Sequence, residues 1–227
     1  PYRLWSNKVS KKVKPIFMTY SNDIFSFYEY DFKELENYNS LVLVKQKNYI
    51  IDHEDIALGD ILSILEKVDI IKEPKIPFPQ ADNFKRVINL CELLLNDDMK
   101  KEDIVSKYDF DPRQADYYTN AGIYLGLINK KSNSQLMYSL SSKGKKIIRQ
   151  KHRDRQLSLA KLILEHEVFN KSFKLYLKKG ESPNKKEITN LMKESYVHNV
   201  KSDITLMRRS STVISWTNWI LSLVNTN

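Results

Sequence analysis

The order of secondary-structure signals in the middle of the chain constrains its fold more than any single residue does. Apolar residues recur at helical spacing over residues 84–95, and a shorter helix is predicted over residues 101–108. Asp111 is a favoured N-cap residue and Pro112 suits the first helical turn, so a third helix is predicted from there to about Gly126. Three helices in close succession are therefore expected.

Strand signals follow the third helix directly. The polar residues 129–134 are typical of a hairpin turn, residues 135–140 have the composition of a strand, and residues 141–148 come next. Helix, helix, helix, strand, turn and strand is the order of elements in a winged helix. In helix-turn-helix proteins the later helix enters the major groove, while the wing and the helix ends reach phosphates.

One face of the third helix carries side chains suited to reading bases. Four residues spaced by four, three and four positions share that face: Arg113, Tyr117, Asn120 and Tyr124. Gln114 lies beside them. Arginine can hold guanine through two hydrogen bonds, and Asn or Gln can do the same for adenine. The alternatives are packing of the tyrosines against the first helix, and a plain surface role or an ion pair for Arg113.

The net charge of +9 lies in the second part of the chain. Residues 1–75 hold 11 basic and 12 acidic side chains, against 26 and 16 in residues 76–227. Residues 143–155 alone carry seven basic residues and one acid on a predicted helix, a crowding that an anion would relieve. The candidate phosphate-binding residues are Lys130, Lys131, Lys143, Lys145, Lys146, Arg149, Arg208 and Arg209. A solvated lysine-rich surface is the alternative.

A second helix-turn-helix-like unit is predicted after the winged helix. Apolar residues at helical spacing lead up to Gly180, and Asn184 is placed to cap the next helix. Ser202 or Asp203 is placed to cap a last helix, whose exposed end carries the two arginines. The expected anchors of this helix on the core are Trp216, Trp219 and Ile220.

The first part of the chain is predicted to be a β-rich segment. Aromatic and β-branched residues favour strands at residues 14–20, 23–32 and 40–50, and a helix over residues 56–68 is expected to cover one face of the sheet. Three prolines in residues 72–79 indicate an extended linker. The predicted fold class is α+β, mainly α, with these divisions: a β-rich segment at 1–71, a linker at 72–80, a winged helix at 81–151 and a second helical domain at 152–227.

The chain resembles the C-terminal winged-helix region of type II restriction endonucleases. The resemblance rests on residues 76–82, on 111–121 with 124–127, and on 207–220, and it covers about the last two-thirds of the chain. Residues 2–50 resemble the segment that precedes that region in the same enzymes. It implies a sequence-specific, Mg²⁺-dependent endonuclease whose helical part recognises or positions the duplex, with the active site mainly before residue 1.

A weak candidate for a nuclease centre lies on the predicted strands. Hydrolysis of a phosphodiester with a divalent metal needs two convergent carboxylates and usually a lysine. Glu29 and Asp31 share a strand face, and Lys45 and Lys47 lie on the next strand. The usual acid-x-lysine triplet is missing there, so solubilising edge charges are the stronger interpretation.

The remaining signals narrow the function class. A lone cysteine, Cys91, forms no internal disulfide and favours a reducing, cytoplasmic location, while no apolar run is long enough to span a membrane. The Pro-Tyr-Arg-Leu-Trp start differs from a secretory leader and leads us to expect a truncated or processed start. The expected partner is double-stranded DNA, with a homodimer left open. A non-enzymatic winged-helix regulator is the main alternative, and a protein-binding adaptor is the third.

Overall fold

The chain divides between residues 53 and 54 in the computed structural model, into a β-rich unit and a larger helical unit. The fold class is α+β and mainly helical, as the sequence predicts. The structure describes residues 2–22, 24–34, 36–50, 55–108, 111–132, 135–195, 197–198, 200 and 202–224.

Three antiparallel strands in the order β1-β2-β3 form the sheet of the first unit, which confirms the predicted strands. Phe27 of the central strand lies opposite Met18 on one side and Lys47 on the other. Asn22 turns the first hairpin with a positive φ of 51°, a conformation that Asn tolerates better than most residues. The elements are α1 (Tyr2–Ser6), β1 (Ile16–Ser21), β2 (Ile24–Phe32) and β3 (Leu41–Ile50).

The helix that the sequence predicts as a cover for this sheet belongs to the helical unit. Helix α2 (Leu58–Lys67) buries Ile61 and Leu65 and packs against a later helix, α7 (His152–Leu164). Arg153 of α7 fixes this arrangement, since its guanidinium lies 2.8 Å from the carboxylate of Asp60. The boundary therefore falls before α2, earlier than the proline-rich segment suggests.

After α2, the helical unit follows the predicted order of winged-helix elements. A two-residue strand that the sequence did not reveal, β4, pairs with β6, so the small sheet has the order β4-β6-β5. Strand β5 extends into the predicted turn, because Lys130 pairs with Tyr138; residues 133–134 lie outside the described residues. The elements are α3 (Phe84–Leu93), β4 (Met99–Lys100), α4 (Lys101–Tyr108), α5 (Pro112–Tyr124), β5 (Ile128–Ser132) and β6 (Leu136–Leu140).

Basic residues 143–155, predicted to lie on one helix, span two. Arg155 donates a hydrogen bond to the carbonyl of Ile148 at 3.0 Å, so the chain turns between the end of one helix and the start of the next. A second break follows at His166, and the break at Gly180 is confirmed by its positive φ of 73°. The helices are α6 (Ser142–Ile148), α7, α8 (Glu167–Lys179), α9 (Lys185–Glu194) and α10 (Asp203–Leu221).

One aromatic core joins the winged helix to the later helices. Trp216 of α10 is fully buried between Phe84 of α3 and Phe169 of α8, at ring-centroid distances of 4.9 and 5.1 Å. Phe78 stacks on Phe169 at 5.6 Å, so the predicted linker is itself packed into this core. The structure therefore places the predicted domains 81–151 and 152–227 in one unit, because neither half buries these rings alone.

Candidate nucleic-acid interface

Helix α5 starts as the sequence predicts. The carboxylate of Asp111 accepts the backbone N–H of Arg113 at 2.8 Å, and Pro112 occupies the first helical position. Arg113 and Gln114 are exposed, and Tyr117 is half-buried one turn further on. The N-terminal half of this helix therefore presents its polar side chains to solvent.

The C-terminal half of α5 is covered, which shortens the predicted base-reading face. Asn120 is half-buried, whereas Tyr124 is buried, donates to both carboxylate oxygens of Glu73 at 3.0 and 3.1 Å, and stacks on His166 at 4.1 Å. Burial and the nearby carboxylate raise the pKa of Tyr124, which keeps its hydroxyl a donor. Tyr124 is a core residue, and the exposed strip ends at Asn120.

The two lysines of the predicted wing are exposed on strand β5. Because successive side chains of a strand point to opposite faces, Lys130 and Lys131 cannot both face the same surface. Lys131 lies 4.0 Å from Asp98, a distance at the limit of an ion pair.

Helix α6 carries a second cationic surface. Lys145, Lys146 and Arg149 are exposed, whereas the ammonium of Lys143 lies 3.7 Å from the carboxylate of Glu165. Helix α6 packs mainly against α3, α7 and β6.

Two arginines of the basic run are neutralised within the protein. Arg155 is buried and lies 3.5 Å from Glu92, and Arg153 is bound to Asp60. The crowding of basic residues therefore does not by itself require an external anion, since carboxylates far away in sequence neutralise part of the charge.

Arg208 and Arg209 differ in exposure on α10. Arg208 is exposed and Arg209 is half-buried, with a buried Nε atom that has no hydrogen-bond partner within the described residues. Burial lowers the pKa of Arg209, the charge of Arg208 lowers it further, and Tyr117 of α5 acts in the opposite direction. Arg208 is therefore the more accessible cation of the pair.

An open cleft of about 340 Å³ lies between α5, α9 and α10. Gln114 and Tyr117 line it from α5, and Arg208 lines it from α10, so three sequence-predicted residues converge here. Lys185 and Gln80 also line the cleft, and sequence reasoning missed both. Lys185 is exposed and is the first residue of α9. The predicted cap at Asn184 could have indicated this position, since the residue after a cap begins the helix.

The two carboxylates proposed for a nuclease centre form ion pairs with lysines in the β-rich unit. Glu29 lies 2.6 Å from Lys14 and directly opposite Lys45 in the strand register, while Asp31 is bound to Lys12 at 3.0 Å. Glu29, Lys45 and Lys47 line an open, largely apolar pocket of about 750 Å³. Asp31 does not line that pocket, so the two carboxylates do not converge on one point.

These residues do not fit the Mg²⁺ ion that the resemblance implies. Two convergent carboxylates would be needed, and each of these is neutralised by its own lysine. Within the described part of the chain, no three His, Cys, Asp or Glu side chains are grouped so as to hold a metal ion. Glu29 and Asp31 therefore do not form a Mg²⁺ site together.

The elements from α3 to β6 have the order and the strand pairing of a winged helix, and further helices follow them. Residues 86–225 match a family described as a domain of unknown function, DUF7226, and the chain belongs to that family. Residues 1–50 match a second domain of unknown function, DUF6997. No curated protein and no solved structure matches the chain significantly. Among the described helices, none combines the length and apolarity needed to cross a membrane.

Proposed function

We propose that this chain recognises double-stranded DNA, with the N-terminal half of α5 in the major groove. The observation that carries the proposal is the exposure of Arg113 and Gln114 in the first turn of α5, while the opposite side of the helix is buried in the core. In helix-turn-helix proteins the N-terminal residues of the recognition helix contact base edges. These two side chains can form the paired hydrogen bonds that distinguish guanine and adenine.

Exposed positive charge supports the same proposal. Within the described residues, Arg113, Lys130, Lys145, Lys146 and Arg149 have no carboxylate within 4.0 Å, so their charges are available to a partner. The net charge beyond residue 75 has the sign that DNA phosphates require. We assign base reading to α5 and phosphate contact to Lys130 of β5 and to the cationic surface of α6.

A role in a type II restriction endonuclease-like protein is a further part of the proposal and rests on the resemblance alone. A non-enzymatic regulator would use the same DNA-binding surface. Because the resemblance implies an active site mainly before residue 1, incubation of supercoiled plasmid and Mg²⁺ with the full-length protein separates the two: site-specific cleavage supports the endonuclease, and binding without cleavage supports the regulator.

The test of DNA recognition begins with selection of duplexes from a random library, followed by fluorescence anisotropy on the enriched sequence. Arg113→Ala should lose about 1–3 kcal/mol of discrimination at one base position, or about 5- to 140-fold. Lys67→Ala removes an exposed charge on α2 and serves as the control, with near-normal discrimination. Failure to enrich any sequence, together with no salt-dependent binding to duplex DNA, would overturn the proposal and favour a protein-binding adaptor.

A further inference from the structure

We propose that the cleft between α5, α9 and α10 binds the sugar-phosphate backbone beside the groove that α5 enters, through Lys185 and Arg208. This inference rests on the proposed function and extends the DNA surface into the last two helices. It assigns a ligand to a part of the fold that lies outside the winged helix.

The position of the cleft relative to α5 is the first support. Successive residues of an α-helix are separated by about 100° around its axis, so Gln114 and Asp116 lie on opposite sides of the Arg113–Tyr117 line. Gln114 lines the cleft, whereas Asp116 binds Lys101 of α4 at 2.8 Å. The cleft therefore borders one long side of the exposed strip.

The geometry of the duplex indicates which part of the DNA the cleft would face. The major groove is about 12 Å wide and has one phosphate backbone on each side of a helix lying in it. A duplex placed on the exposed strip of α5 must bring one backbone to the cleft side and the other to the α4 side. Lys185 and Arg208 are the cations on the cleft side.

Charge in the cleft is the second support. Lys185 and Arg208 have no carboxylate within 4.0 Å among the described residues. Asp82 is the acid that lines the cleft, and one of its oxygens accepts the Thr212 hydroxyl at 2.6 Å.

Glu187 of α9 and Asp203 at the start of α10 are engaged elsewhere. The Glu187 carboxylate accepts hydrogen bonds from Lys179 at 3.0 Å and from the backbone N–H of Asn184 at 2.8 Å. Asp203 is bound to Lys193 at 2.8 Å. Neither carboxylate neutralises the cleft, which leaves a positive surface suited to phosphate.

The experiment measures the salt dependence of duplex binding for the wild type and for the double variant Lys185→Ala/Arg208→Ala. Each lost phosphate contact lowers the slope of log affinity against log salt by about 0.9, so the double variant should lose about 1.8. Between about 50 and 200 mM salt, its affinity should then fall about 12-fold less than that of the wild type. Its base preference should be unchanged, because phosphate contacts carry no sequence information.

Two further variants make the result specific to the cleft. Lys67→Ala/Lys161→Ala removes two exposed charges from the α2–α7 side and should keep the wild-type slope. Lys185→Arg/Arg208→Lys retains both charges and should also keep it. Far-ultraviolet circular dichroism and the unfolding temperature of each variant confirm that the fold is intact.

The outcomes separate the two proposals. If the cleft variant keeps the wild-type slope while Arg113→Ala loses base discrimination, the cleft inference is overturned and DNA recognition by α5 stands. If the wild type binds no duplex DNA, or binds only RNA or a protein, both proposals are overturned. An equal loss of slope in the α2–α7 control would also overturn the cleft inference, since the effect would then be general to surface charge.

Discussion

Replacement of Trp216 by alanine tests whether the winged helix and the later helices share one core. The indole is fully buried, contacts the rings of Phe84 and Phe169, and donates its N–H to the carbonyl of Ala81 at 2.7 Å. Loss of a buried Trp side chain costs about 3–5 kcal/mol, a range that includes the cavity left behind. The unpaired carbonyl of Ala81 places this variant toward the upper end of that range.

The expected shift in unfolding temperature follows from the size of the helical unit. For a unit of this size each kcal/mol lowers the midpoint by about 2–4 °C, so Trp216→Ala should lower it by about 6–20 °C. Thermal unfolding followed by circular dichroism measures the shift, and amide hydrogen exchange in α5 and α10 shows which helices it affects. We expect exchange to accelerate in both helices, since the ring joins α3 to α8 and α10.

Trp5→Ala is the matched control, because Trp5 lies in the β-rich unit and is 53% exposed. It should leave the midpoint of the helical unit within about 2 °C of the wild type. Faster exchange in α10 with no change in α5 would refute the shared core and restore two separate domains at residues 81–151 and 152–227.

Three local features lead to smaller, independent predictions. Asp111→Ala removes the cap of α5 and should cost about 0.5–2 kcal/mol in urea unfolding. Gly144→Ala places a methyl group against a backbone carbonyl and should destabilise the protein by about 1–3 kcal/mol. Gly59→Ala meets open space on α2 and should stabilise the protein by about 0.4–1 kcal/mol. A reversed order of their melting temperatures would contradict this. The pKa of Asp60 is lowered, first by the backbone N–H that its carboxylate accepts and then by Arg153. Its contribution to the free energy of unfolding is therefore present above the ordinary pKa of 3.8 and is lost as the pH falls through the lower folded-state pKa. Asp60→Asn should therefore destabilise by about 1 kcal/mol at neutral pH, with the difference from the wild type disappearing in acid.

The identity and bounds of most elements follow from the sequence alone, because their causes are local. Aromatic and β-branched residues indicated the strands of the first unit, and the caps at Asp111, Asn184 and Ser202 marked where three helices begin. Trp216 was correctly expected in the core, since a large apolar ring on a helix is seldom left in water. A two-residue strand such as β4 has too short a pattern to be recognised, and it forms because β6 offers an open edge.

The surface available to a partner was decided by the tertiary structure. Glu73 covers Tyr124, and Glu92 and Asp60 neutralise two arginines of the basic run, through contacts between residues far apart in sequence. The same long-range packing brings Lys185 and Arg208 beside α5, where no local pattern could place them. Periodicity and capping act within a few residues and are readable from the chain, whereas burial and charge compensation depend on which distant elements meet, and only the folded core determines that.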